Sequence, residues 1–148
     1  MTRTYARELV AQLVYEMELT GKSADELLQA RLDKDYYSTL QDEADVYAEK
    51  PEKQEAYISQ TLRGIEARQE ELNGYIGKYA INWDISRISR VARAIMQVAM
   101  YECLCGTDVP VSAAINEAVE LTRKYEDEDV VSFVNGILGT FVREANLK

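Results

Sequence analysis

The 148-residue chain contains no histidine, which excludes Ser-His-Asp and Cys-His catalytic arrangements and any histidine-ligated metal. Only two cysteines occur, Cys103 and Cys105. Two apart on a helical segment, their side chains diverge by about 200°, so they do not readily bridge and are expected to be reduced residues of the core or its flank. Alone they cannot supply four zinc ligands. No apolar run approaches the roughly 18 residues of a membrane span, and the N-terminal MTRTYARELV lacks the continuous apolar core of a signal peptide. A soluble, cytoplasmic protein without membrane contact is expected. Alternating strand patterns of useful length are missing too, as are internal repeats.

Positive charge is scarce. Seventeen Lys and Arg face twenty-six Asp and Glu, a net charge of -9, which argues against indiscriminate binding to a phosphate backbone. The distribution is uneven. Glu126 to Asp129 is an unbroken acidic run, whereas Lys78 to Tyr101 carries Lys78, Arg87, Arg90 and Arg93 against Asp84 alone. That stretch reads either as a basic strip on an acidic body or as a solvated helix face paired with nearby carboxylates. Gly21-Lys22-Ser23 looks like the tail of a phosphate-binding loop, but the required earlier glycine is Glu16 and the segment follows a helix rather than a strand. The carboxylates show no D-x-D-x-D-G spacing, so they read as solvated surface. Neither a catalytic residue, a metal site nor a cofactor is indicated; a binding protein remains.

What is present is helical periodicity, with 47% hydrophobic residues to fill a core. Ala6, Leu9, Val10, Leu13, Val14 and Met17 fall at i, i+3, i+4, i+7 spacing, and Gly21 is a C-terminal stop. Ser23 with Glu26 forms a capping box for a helix through about Leu32. Residues 33–51 are polar and tyrosine-bearing, with weak order or a short helix expected. Pro51 opens a long helix whose Ile58, Leu62, Ile65, Leu72, Ile76 and Tyr79 repeat every three to four residues, with Gly64, Gly74 and Gly77 read as points of close approach. Asn82 or Asp84 caps the next helix, striped by Ile88, Val91, Ile95, Val98 and Ala99 to about Leu104. Gly106 ends it. Pro110 and Ser112 open another, with Ala114, Ile115, Ala118, Leu121 and Tyr125 on one face, and the last runs from about Asp129 to Glu144. The region 33–51 or Trp83 is the candidate division between two helical halves.

Within the last helix, Asn135 and Gly136 are poor helix formers, glycine costing about 1 kcal/mol against alanine. On a wheel of about 100° per residue, Val130, Val134, Ile137, Leu138 and Phe141 form one apolar stripe, while Phe133 lies on its edge beside Asp129, Gly136 and Thr140. A ring flanked by small residues has room for an open face.

Arg93-Ala94-Ile95 followed by Tyr101-Glu102, then DVPVSAAINEAVEL from Asp108 to Leu121, then FVNGIL from Phe133 to Leu138, form a specific series. Together with Ala6-Arg7-Glu8 and the long helix holding Gly64, they resemble the NusB transcription antitermination family over nearly the whole chain. The resemblance implies an all-α fold of two packed helical bundles, about seven helices in all, in a single domain 1–148 with halves at about 1–81 and 82–148. It implies no enzymatic activity. The implied partners are box A-like single-stranded RNA, the ribosomal protein NusE, and the elongating RNA polymerase with other Nus factors, in support of ribosomal RNA transcription. Carried over by motif, Phe133 and Tyr79 belong to the RNA surface, where splayed bases stack on rings. Asn135 is placed to hydrogen-bond RNA or to tie its helix to the adjacent bundle. Many family members open with an arginine-rich run before A-R-E; here Arg3 and Arg7 remain, at i, i+4 on one face, placed to clamp adjacent phosphates with a small release of counterions. An interaction module of the same fold without RNA binding is the alternative, and monomer and homodimer are both open.

Overall fold

Thr2 starts the first helix: its side chain accepts from the Tyr5 N–H, satisfying a donor that the helix leaves orphaned. Helix α1 (Arg3–Thr20) ends at Gly21, whose φ of 74° is a left-handed conformation that closes an N–H bond to the Met17 carbonyl. The computed structural model describes residues 1–81, 88–106 and 109–147. Within them the chain is all-α, with helices α2 (Ala24–Arg31), α3 (Lys34–Ser38), α4 (Glu55–Ala67), α5 (Gln69–Tyr79), α6 (Arg90–Cys105), α7 (Val111–Tyr125) and α8 (Glu128–Glu144), and two short 3-10 turns at Asp45–Tyr47 and Glu52–Gln54. None of these helices is long and apolar enough to cross a membrane.

By backbone contacts the chain forms two compact units, 1–67 and 68–148. The divide lies inside the segment whose periodicity reads as one helix from Pro51 to Tyr79. At Arg68 the backbone leaves helical geometry, with φ -117° and ψ 18°. The apolar spacing runs straight through this break, because Ile65 and Leu72 are two turns apart and both fully buried. Nothing in the periodicity marks it: α4 serves the core of the first unit against α1 and α2, while α5 serves the second against α6 and α8. That split, together with α3, makes eight helices among the described residues where about seven are expected. Gly74 and Gly77 are not close-approach positions; a Cβ at either would meet nothing within 4 Å.

In the first unit α1 buries Leu9, Val10, Leu13 and Val14 completely, against Ile58, Leu62 and Ile65 of α4. The Ser23–Glu26 capping box is formed, both hydrogen bonds present. The segment 33–51 is better held than its composition indicates. The Tyr47 hydroxyl donates to Gln12 Oε1 at 2.9 Å and accepts from Arg31 Nη1 at 2.8 Å, and Arg31 also binds the Glu16 carboxylate at 2.5 Å. Tyr37 packs edge-on to Tyr47, centroids 5.6 Å apart, and donates to the Glu49 carbonyl. Burial first, then Tyr47 and Glu52, push the Tyr37 phenol up to about 12, so it stays a neutral donor.

In the second unit α6 is the central helix, buried almost all round from Ala92 to Glu102 and packed on α5, α7 and α8. Its Gln97 is fully buried, donating to Asn73 Oδ1 at 2.9 Å and accepting from Gln69 Nε2 at 3.3 Å, which spares a buried amide its desolvation penalty. Ser89 caps helix α6, accepting from the Ala92 N–H, and the expected caps Asn82 and Asp84, like Trp83 and Arg87, lie outside the described residues. Helix α7 buries Ala114 and Ala118, but Tyr125 is 43% exposed rather than inside. Cys103 and Cys105 are free thiols; burial and then Glu102 push the Cys103 thiol up to about 11.

Because Tyr47 holds the 33–51 segment through its hydroxyl, Tyr47→Phe keeps the ring and removes both bonds. Stability should fall by about 1–2 kcal/mol in denaturant melts, with faster amide exchange confined to that segment. Unchanged exchange there would show that packing alone orders it.

Candidate nucleic-acid interface

Helix α8 decides where the candidate residues of the second unit point. Its buried stripe is Val131, Val134, Ile137, Leu138 and Phe141, with Val131 in place of the expected Val130, which is only half-buried. At about 100° per residue, Phe133 and Asn135 then sit on opposite flanks of that stripe, roughly 160° apart. Phe133 is half-buried with contacts of its own, and Asn135 is exposed. The two residues share a motif but not a face. Between them on the outside is Gly136, around which a Cβ would meet nothing within 4 Å; its carbonyl accepts from the Thr140 hydroxyl at 2.9 Å.

Tyr79, the last residue of α5, is half-buried. It lies parallel to Tyr75, centroids 6.4 Å apart and planes 2° from parallel, and both rings meet the edge of the fully buried Phe141, at 6.5 and 5.1 Å. Lys78 Nζ is 5.4 Å from the Tyr79 centroid, a cation over the ring. The structure therefore adds Tyr75 and Lys78 to the residue that the family motif singles out. Their i, i+4 and i, i+1 spacing to Tyr79 is visible in the sequence; that Phe141 anchors both rings is not.

In the first unit Arg3 and Arg7 part company. Arg3 is half-buried, its guanidinium 4.1 Å from the Tyr57 ring centroid and its Nε donating to Gln54 Oε1 at 2.8 Å. That leaves the planar guanidinium oriented and part-open, with the remaining N–H donors free of the Gln54 bond. Arg7 is only 8% exposed, beside Glu8 at 3%. Sharing a face at i, i+4 does not equal sharing solvent: Arg7 is covered where Arg3, one turn earlier, is half-buried. Of the basic strip between positions 78 and 101, Lys78 and Arg90 are exposed and Arg93 is half-buried. Among the described residues no cluster of three or more His, Cys, Asp or Glu is arranged to hold a metal.

The arrangement offers rings, amides and a few oriented cations rather than a continuous positive surface. Groups of these kinds can hold single-stranded nucleic acid by stacking, hydrogen bonding and phosphate contact. Comparison with known proteins agrees with the fold. The sequence model of the NusB family matches residues 4–143. The transcription antitermination protein NusB of Clostridium kluyveri is 34% identical over 155 residues, spanning 100% of this chain and 99% of that protein. Among solved structures, T. maritima NusB superposes with a TM-score of 0.73 at 27% identity, covering 97% of this chain and 92% of that one. A structure of the antitermination factors NusB and NusE in complex with dsRNA superposes with a TM-score of 0.70 at 21% identity, covering 96% of each chain, a likeness of fold.

Gly136 makes a sharp probe of this surface. Since a Cβ there has open space and the residue is inside α8, Gly136→Ala should raise stability by about 0.5–1 kcal/mol. Thermal melts check this. A destabilised variant would mean that the space beside Phe133 is filled in solution.

Proposed function

The chain belongs to the NusB family, and from that premise we propose that it is a non-catalytic, cytoplasmic RNA-binding factor acting on ribosomal RNA transcription. In this reading it binds box A-like single-stranded RNA together with the ribosomal protein NusE, and the assembly joins the elongating RNA polymerase with other Nus factors. The observation that carries the RNA part is the half-burial of both motif rings, Tyr79 and Phe133. A half-buried ring is held by the fold and keeps exposed area on which a base can stack. Arg3 contributes a phosphate contact from α1, Arg7 supports that helix end from inside, and Asn135 adds a hydrogen-bonding amide. The net charge of -9 makes a basic protein a favourable partner, steering encounter and supplying positive surface that this chain lacks.

A second reading, an interaction module that does not bind RNA, draws on one observation: of the two N-terminal arginines one is buried and the other is already stacked on Tyr57 and bonded to Gln54. RNA titration separates the readings. The relative solved with NusE contains double-stranded RNA, so a duplex is the proper competitor. Fluorescence anisotropy should show tighter binding to a box A-like single strand than to its duplex, and weaker binding as salt rises from about 50 to 200 mM. Equal affinity for both forms would remove the stacking argument.

Phe133→Ala tests the platform itself. RNA affinity should fall by about 1–3 kcal/mol, the usual worth of a stacked base, with little loss of stability. The control is Val134→Ala, at a fully buried neighbour, where about 2 kcal/mol of stability goes instead. If Phe133→Ala melts like a core deletion and binds RNA normally once folded, the ring is part of the core and the site lies elsewhere.

A further inference from the structure

Arg31, Arg63, Arg68 and Arg123 each pair with a carboxylate, of Glu16, Asp25, Glu71 and Glu120 respectively, which offsets their charge locally. Arg3 is held by neutral groups instead. Its guanidinium lies 4.1 Å from the Tyr57 ring centroid and its Nε donates to Gln54 Oε1 at 2.8 Å, although Glu52 and Glu55 lie within two residues of Gln54 in the chain. The charge is ordered without being cancelled. The Gln54 amide is itself fixed in one orientation, because its Nε2 donates to the Met1 carbonyl at 3.4 Å and a flip would set its donors against the Arg3 N–H. Met1 is tied down in turn: its ammonium pairs with Glu49 at 2.9 Å and donates to the Lys50 carbonyl at 3.2 Å. Both Nη atoms of Arg3 are left without a hydrogen bond or ion pair to a described residue. With Nε committed, their shared outer edge is the part that can take two oxygens of an anion side by side. A cation in the first turn of α1 also stands against the positive end of the helix dipole, so its placement there is not explained by the helix.

We propose that Gln54 and Tyr57 are positioning residues for RNA binding, holding Arg3 so that both its Nη atoms grip one backbone phosphate of a single strand. The inference rests on the reading that the chain binds single-stranded RNA. An arginine that is loose in the free protein loses rotamer freedom when it binds, whereas one already stacked and hydrogen-bonded has less to lose. Neutrality of the holder is essential. A carboxylate in place of the amide would order the side chain equally well, but it would also take the place of the phosphate. Arg7, one turn further on and covered, cannot substitute for Arg3.

The test is anisotropy titration of the full chain with a box A-like single-stranded RNA, with thermal melts on every variant. Gln54→Leu and Tyr57→Leu should each weaken binding by about fivefold, the scale of re-ordering one long side chain, while Tyr57→Phe, which keeps the ring, binds as the unaltered chain does. Gln54→Glu separates positioning from stability. It keeps Arg3 in place and leaves the melting temperature unlowered, yet binding should fall as far as in Arg3→Ala, and the slope of log affinity against log salt should drop by about one. In an Arg3→Ala background, Gln54→Leu should add no further loss. The same loss in both backgrounds, or undiminished binding by Gln54→Leu and Gln54→Glu, would overturn the proposal while the RNA reading stands. Should Tyr57→Leu melt early, the Gln54 variants decide, since that side chain is polar and half-buried. If the unaltered chain binds no RNA, the RNA reading fails and the proposal with it.

Discussion

The burial of one stripe on α8 is the constraint from which the geometry of the second unit follows. Val134, Leu138 and Phe141 are each fully buried, and Val131 and Ile137 nearly so. A straight helix that commits those five positions inward has no freedom left for the others. Phe133 must emerge on one flank and Asn135 on the other. The same stripe ends in Phe141, whose ring is the surface on which Tyr75 and Tyr79 rest. A motif of adjacent residues is thus divided by core packing into two chemically distinct surfaces: a ring on one side, and on the other an amide facing α7.

Much of this was legible in the periodicity. Every residue of the predicted α1 stripe is buried, the Ser23–Glu26 box forms, and Gly21 and Gly106 end their helices. What was not legible depends on contacts distant in sequence. The break at Arg68 cannot be seen because two different cores happen to demand the same phase of apolar residues on either side of it. The order of residues 33–51 comes from Tyr47 reaching Gln12 and Arg31, pairs that no local pattern announces. Arg7 was placed with Arg3 by spacing, yet spacing gives a direction around a helix axis, and exposure depends on what covers that direction. The α7 stripe shows the same limit: Tyr125 is in phase with Ala114 and Ala118, but it is the last residue of its helix and remains 43% exposed.

The site residues divide by the kind of signal that reveals them. Tyr79 and Phe133 came from a family motif and are half-buried; on the proposed reading, a ring already held by the fold loses little entropy when a base stacks on it. Tyr75, Tyr57 and Lys78 carry no motif and emerged from geometry alone. Asn116 stands inside the A-I-N-E-A motif, but its place beside Ser132 and Asn135 appears only when α7 is set against α8.

Charge then determines how such a surface can work. Counterion release scales with the number of phosphates neutralised, and among the described residues the cations set at the candidate site are Arg3 over Tyr57 and Lys78 beside Tyr79. Stacking is tolerant of sequence, so on the proposed reading the rings supply contact with the bases while Arg3 and Lys78 supply the salt-dependent share. An acidic body bearing those rings gains most from a partner whose positive surface adds the missing phosphate contacts. On the proposed reading, the acidity that would weaken the chain as a solitary RNA binder would favour association with a basic protein, and both effects follow from the same excess of carboxylates.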